Sequence, residues 1–164
     1  MPPLGRDVTP DGVTRAPRLE GPLERIAAPV TTVATPQQRV RYRRAIVIDA
    51  GRVRVVVDDR PLMVSFAGIE APAFDAVCTD RGGQEWKCGA QARADLARLI
   101  QSRSLQCAPA EPAEGTVRTD CTVGRHDIAA WLAARGWARA GEGASDAVRT
   151  AEAEARKAAL GLWR

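Results

Sequence analysis

Histidine occurs once in this 164-residue chain, as His126, and that scarcity excludes a good deal of chemistry. No second histidine stands at zinc-finger spacing, and none of Cys78, Cys88, Cys107 and Cys121 falls in a CxxC pair, so a structural zinc site is not expected. No serine or cysteine partner for His126 can be read, so it is expected to be an exposed loop residue before a helix and not the base of a nucleophilic dyad. Aromatics are sparse too: one Tyr, two Phe and four Trp. No apolar run approaches the roughly 20 residues that cross a bilayer as a helix, so no transmembrane segment is expected. The opening MPPLGRDVTP has no apolar h-region, so the signal or anchor of an exported form would lie upstream of it or have been removed. No internal repeat is visible.

What is present fits one small soluble domain plus a tail: 45% of residues are apolar and 27% charged. The net charge of +4 is unevenly placed. Residues 1–60 hold 11 arginines and 7 acidic groups, whereas residues 61–164 hold 13 basic and 13 acidic groups. Such a balance permits an anionic partner but does not require one. Four cysteines form an even set, best read as two disulfides, which places the protein in an oxidising compartment, periplasmic or secreted. The alternative is four buried thiols in a cytosolic protein.

Residues 1–38 carry seven of the eleven prolines and no sustained apolar period. They read as an extended tail or linker, with Leu23 and Ile26 available to lie on the domain of 39–164. From Arg39 the period becomes two. In RVRVVV, Val53, Val55 and Val57 share one strand face, while Arg52 and Arg54 take the other. Leu62, Val64 and Phe66 repeat the pattern after an Asp58-Asp59-Arg60-Pro61 turn. Strands are expected over about 41–49, 51–57, 62–68, 104–108 and 117–123. One helix follows Cys88 and buries Ala92, Leu96, Leu99 and Ile100. A second starts near Asp127, buries Ile128, Trp131 and Leu132, and stops at Gly136. A third runs from a Ser145 N-cap to Leu160, with an alanine face at Ala151, Ala155 and Ala158 and a Glu152–Arg156 pair. The order defines an α+β, mainly β, class, whose strands can close into a five-stranded OB-type barrel with three packed helices. Arg39, Arg41, Arg43 and Arg44 cluster around Tyr42. Alternation puts the first three on one strand face, suited to nucleic-acid phosphates or anionic lipid, or equally to guarding an edge strand.

Val64–Pro72 reads VSFAGIEAP, and its AGIEAP resembles the LAGIDAPE signature of the staphylococcal-nuclease-like (thermonuclease) family. WKCGAQAR, DIAAWLAARGWA and GLW follow in that family's order. The resemblance covers about residues 43–164 and implies the same OB-type barrel; it places Trp86, Trp131, Trp137 and Trp163 at packing positions. In that barrel Cys107 and Cys121 sit on neighbouring antiparallel strands, and Cys78 and Cys88 bracket the loop before the first helix. Of the three connectivities, Cys78–Cys88 and Cys107–Cys121 are therefore expected.

The family consists of calcium-dependent phosphodiesterases, and the resemblance implies where their chemistry would stand. Asp49-Ala50-Gly51-Arg52 matches a DGDT-like turn. Asp49 keeps the first carboxylate, Gly51 replaces the metal-binding Asp, and Arg52 replaces the Thr. Ser65 stands for a phosphate-binding Arg, Glu70 for a metal-ligand Asp, Ala71 for a Thr or Ala, and Ala73 for the general-base Glu. Glu114-Gly115-Thr116 corresponds to a YGR segment, so Thr116 replaces the second Arg. A hard cation needs carboxylate oxygens, and in-line attack at phosphorus needs positive charge and an activated water. With Asp49 and Glu70 as the only remaining ligands, the calcium site is expected to be lost. Arg52 and Arg54 flank the empty turn and could hold an anion in the cation's stead, although ordinary solvated strand residues are the favoured reading of both, as of Asp75 and Arg118. The expected function is a non-catalytic binding or scaffold module outside the cytoplasm. The alternative is a weak or rewired nuclease using Asp49, Glu70, Asp75 and Arg118.

Overall fold

The computed structural model describes residues 38–164; apart from Gln38, the tail expected over 1–38, with Leu23 and Ile26, lies outside the described residues. The strands are β1 (Val40–Tyr42), β2 (Ile46–Asp49), β3 (Arg52–Val57), β4 (Arg60–Phe66), β5 (Ile69–Glu70), β6 (Cys78–Thr79), β7 (Glu85–Trp86), β8 (Leu105–Cys107), β9 (Thr116–Thr119), β10 (Cys121–Val123), β11 (His126–Asp127) and β12 (Arg139–Ala140). The helices are α1 (Cys88–Ile100), α2 (Ile128–Ala134) and α3 (Asp146–Lys157), followed by a single 3-10 turn at Gly161–Trp163. The chain is α+β with most of its elements β. Two sheets have four strands, in the orders β2-β3-β4-β9 and β1-β8-β10-β11, and β5 with β12 and β6 with β7 form two-stranded pieces. None of these sheets closes on itself.

Alternation explains the larger sheet. Val53, Val55, Val64, Phe66 and Val117 point inward and are buried, while Arg52, Arg54 and Arg118 point outward. Asp58 and Asp59 both take positive φ, 47° and 61°, the backbone of a type I′ hairpin turn between β3 and β4. Two expected strands are each divided. The 41–49 strand breaks at Arg43–Ala45, because its first part pairs with β8 and its second with β3. The 117–123 strand breaks at Asp120: β9 runs parallel to β4, whereas β10 runs antiparallel to β8. The strand expected over 62–68 stops at Phe66, and Gly68 (φ 71°) turns the chain into β5.

Helix α1 buries the stripe Ala92, Leu96, Leu99 and Ile100, as its period requires. Helix α2 begins at an Asp127 N-cap whose side chain accepts the Ala130 N–H at 2.9 Å, and it buries Ile128 and Leu132. Trp131 differs from expectation: it is only half-buried, with the Arg135 guanidinium 4.5 Å from its ring centroid. Ser145 caps α3, accepting from the Val148 N–H at 3.3 Å. That helix ends at Lys157, short of Leu160, so Ala158 lies exposed beyond it and not on a packing face. The Glu152–Arg156 pair forms at 2.8 Å.

Both expected disulfides are present, Cys78–Cys88 and Cys107–Cys121. The second joins directly opposed residues of β8 and β10. No helix among the described residues is long and apolar enough to cross a membrane.

Candidate functional site

Strand β2 ends in Asp49, a residue 4% exposed whose carboxylate closes the turn that follows. Its Oδ1 accepts the Gly51 N–H at 2.9 Å. Its Oδ2 accepts the Arg52 Nε–H at 2.8 Å and an Nη2–H at 2.5 Å. Hydrogen bonding to Asp49, reinforced by its charge, raises the Arg52 guanidinium above its usual value, so Arg52 stays cationic wherever the fold is studied. The Arg52 side chain is 50% exposed, so one edge serves Asp49 while the rest faces solvent.

The register of the larger sheet extends this into a row. Arg52 on β3 opposes Ser65 on β4, and Ser65 opposes Arg118 on β9. All three lie on the outward face, because their neighbours Val53, Val64 and Val117 are buried on the other. A serine hydroxyl thus stands between two arginines on neighbouring strands. The row lines a cleft of about 300 Å³ together with Asp49, Gly51, Glu70 and Ala73.

The walls are fixed by backbone contacts. Glu70 sits on β5 opposite Arg139 of β12, and the Gly141 N–H donates to the Gly68 carbonyl at 3.0 Å. Ala73 belongs to the loop before α1. A Cβ at Gly89 would lie 1.8 Å from the Ala73 carbonyl oxygen, so only glycine lets the first turn of α1 press against that loop. The Cys78–Cys88 bridge ties the loop's far end to the same turn.

Seven residues named for the site from the sequence therefore meet in one cleft with Arg52: Asp49, Gly51, Ser65, Glu70, Ala71, Ala73 and Arg118. Three others do not line it. Thr116 and Arg54 both oppose Met63 in the adjacent cross-strand row, and Asp75 is exposed on the loop. No group of three or more His, Cys, Asp and Glu side chains able to hold a metal exists among the described residues. Asp49 is committed to Arg52 and to its own turn, which leaves Glu70 as the carboxylate of the cleft without such an engagement. This donor set does not fit a calcium ion, which takes several carboxylate and carbonyl oxygens. What the cleft offers an anion is the outward edge of Arg52, the Arg118 guanidinium and one hydroxyl, with Glu70 as an opposing charge on its wall. The bidentate grip of Arg52 on Asp49 was not anticipated, although the i, i+3 spacing across a tight turn was its signal.

Outside the cleft, Arg39 donates from Nη1 to the Gln106 carbonyl at 3.0 Å and to Thr122 Oγ1 at 3.2 Å, reaching across β8 and β10. β1 is only Val40–Tyr42, so neither Arg39 nor Arg43 lies on it and the expected face shared by Arg39, Arg41 and Arg43 does not form; Arg43 starts the bend. His126 is half-buried in β11, paired with Val123, and is not a loop residue. The four tryptophans are engaged in packing. Trp86 and Trp137 lie 6.0 Å apart, Trp137 Nε1 donates to Asp95 Oδ2 at 2.8 Å, and Arg156 lies 4.1 Å from the Trp163 ring centroid.

No protein-family model matches this chain, and no curated protein sequence matches it.

Proposed function

We propose that residues 39–164 are a thermonuclease-like domain whose catalytic site has been lost, acting as a non-catalytic binding module that takes an anionic partner between Arg52 and Arg118. The observation that carries this reading is the Asp49–Arg52 pair. Where the resemblance would put a divalent cation beside Asp49, a guanidinium already supplies the positive charge. The other replacements agree in direction. Ala73 offers no base to activate water, and Ser65 leaves the phosphate clamp to Arg52 and Arg118.

An OB-type barrel is part of the same reading. Its support is chain continuity between the two larger sheets. β9 and β10 are separated by Asp120 alone, and β1 and β2 by residues 43–45. Read as two bent strands, they link β3, β4, β9/β10, β8 and β1/β2 into a ring of five. An extracytoplasmic setting is proposed from the two disulfides.

Fluorescence anisotropy with a labelled single-stranded oligonucleotide, with and without chelator, tests the binding site. Arg118→Ala is expected to weaken binding about tenfold, the loss of one charge-assisted contact. Glu70→Ala and chelator are expected to change it little. Binding that needs calcium and is lost in Glu70→Ala would reject the reading in favour of a surviving metal site.

A further inference from the structure

A cationic cleft lies away from the Arg52–Arg118 row, where the bend between β1 and β2 meets the C-terminal end of α1. It encloses about 320 Å³ and is lined by Arg43, Arg44, Arg93 and Arg103, with Ala45 and Ile100 among its apolar residues and no carboxylate. Arg93 is anchored: its Nε donates to the Val47 carbonyl at 3.0 Å, and its guanidinium carbon lies 5.2 Å from the centroid of Phe74. The three remaining arginines are exposed and make no ion pair with another described residue.

One ordinary purpose for such arginines is to neutralise the end of α1. A helix C-terminus carries only about half a negative charge. Two carbonyls near that end are already satisfied, Ala97 by the Gln101 N–H at 2.9 Å and Ile100 by the Arg103 N–H at 2.7 Å. Four guanidiniums exceed this requirement several-fold. Like charges lining one cleft over an apolar floor repel one another, and an anion held among them reduces the repulsion.

We infer that this cleft is a binding site for a ligand carrying two linked phosphate groups, a pyrophosphate-type anion. Two phosphates bring roughly three to four negative charges at neutral pH, which matches four arginines better than one phosphate does. Planar guanidinium forks suit adjacent phosphate oxygens. The site does not depend on the function proposed for the Arg52–Arg118 cleft, since the two share no lining residue.

Calorimetric titration of the whole protein with sodium pyrophosphate at low ionic strength tests the inference, with ¹H–¹⁵N spectra to locate the response. Orthophosphate and phosphatidylglycerol vesicles are titrated beside it to separate a free diphosphate from a single phosphate and from a lipid surface. Saturable one-to-one binding is expected, tighter for pyrophosphate than for orthophosphate, with shifts confined to residues around 43–47 and 97–103. The exposed double substitution Arg44→Ala/Arg103→Ala is expected to weaken binding at least tenfold with an unchanged circular dichroism spectrum. Arg125→Ala, which removes an exposed arginine that lines neither cleft, is expected to bind as the parent does. The inference is overturned by non-saturable binding, by equal affinity for both phosphates, by binding to vesicles alone, or by loss in Arg125→Ala with retention in the double variant.

Discussion

Asp49 is the residue on which the account turns, because its charge survives while its chemistry changes. A buried carboxylate needs a partner, and Arg52 provides it. Arg52→Ala leaves Asp49 with the Gly51 N–H, and is expected to destabilise the fold by about 1 kcal/mol after allowing for solvent screening of the half-exposed guanidinium. Urea denaturation reads this directly; an unchanged midpoint would mean that Asp49 is held by its turn alone. Restoring the residues implied by the resemblance is a complementary prediction. A Cβ at Gly51 would meet Ala71 Cβ at 3.4 Å and Asp49 Oδ1 at 3.7 Å, ordinary contacts, so Gly51→Asp is expected to fold. Combined with Arg52→Thr, Ser65→Arg, Glu70→Asp and Ala73→Glu, it is expected to bind calcium more tightly than the parent does, measurable by calorimetry. At this scale the grouping of residues around the cleft was largely legible. Asp49, Gly51, Ser65, Glu70 and Ala73 lie in or next to short motifs that fix their spacing. Arg118 was legible by alternation from Thr116. Thr116, on β9, and Asp75, on the loop before α1, lie outside the cleft, and no periodic pattern places either: one depends on strand register and the other on how a loop runs.

Helices and strands were legible where alternation or a cap dictated them, and not where the chain changes partner. The stripe of α1 and the caps of α2 and α3 follow from the residues themselves. Ser145→Ala is expected to cost about 1 kcal/mol of stability, the usual value for a lost N-cap, and thermal unfolding would register it. The breaks at Arg43–Ala45 and Asp120 are consequences of tertiary pairing, which the local pattern of residues does not encode. The close of the chain is a further such case. Gly136 has φ 72°, and a Cβ there would lie 2.2 Å from the Leu160 carbonyl oxygen; one at Gly161 would lie 2.4 Å from the Gly136 carbonyl oxygen. The two glycines let the end of α2 and the last turn pack backbone to backbone, with the Leu162 N–H donating to the Gly136 carbonyl at 2.9 Å. Gly136→Ala is expected to destabilise by more than about 1 kcal/mol, since it combines a strained φ with a backbone collision. A melting temperature equal to that of the parent would contradict this packing.

Across the whole molecule, two short covalent loops reinforce a small core. The bridges span 10 and 14 residues, and each loop closure is worth about 2–3 kcal/mol in the chain-entropy description. Replacing Cys107 and Cys121 by alanine is expected to lower global stability. Replacing Cys78 and Cys88 is expected also to loosen the loop that carries Ala73, seen as faster amide exchange over 71–79. The bridges give the scaffold rigidity, and Arg52 and Arg118 give one of its clefts two guanidiniums to meet an anion. The central claim is that this scaffold binds and does not cut. It is tested most directly by incubating the purified, disulfide-intact protein with single-stranded DNA and with RNA, in calcium and in chelator, beside Glu70→Ala. The account predicts no cleavage by either protein in any condition. Cleavage that requires calcium, stops with chelator and is missing from Glu70→Ala would contradict it.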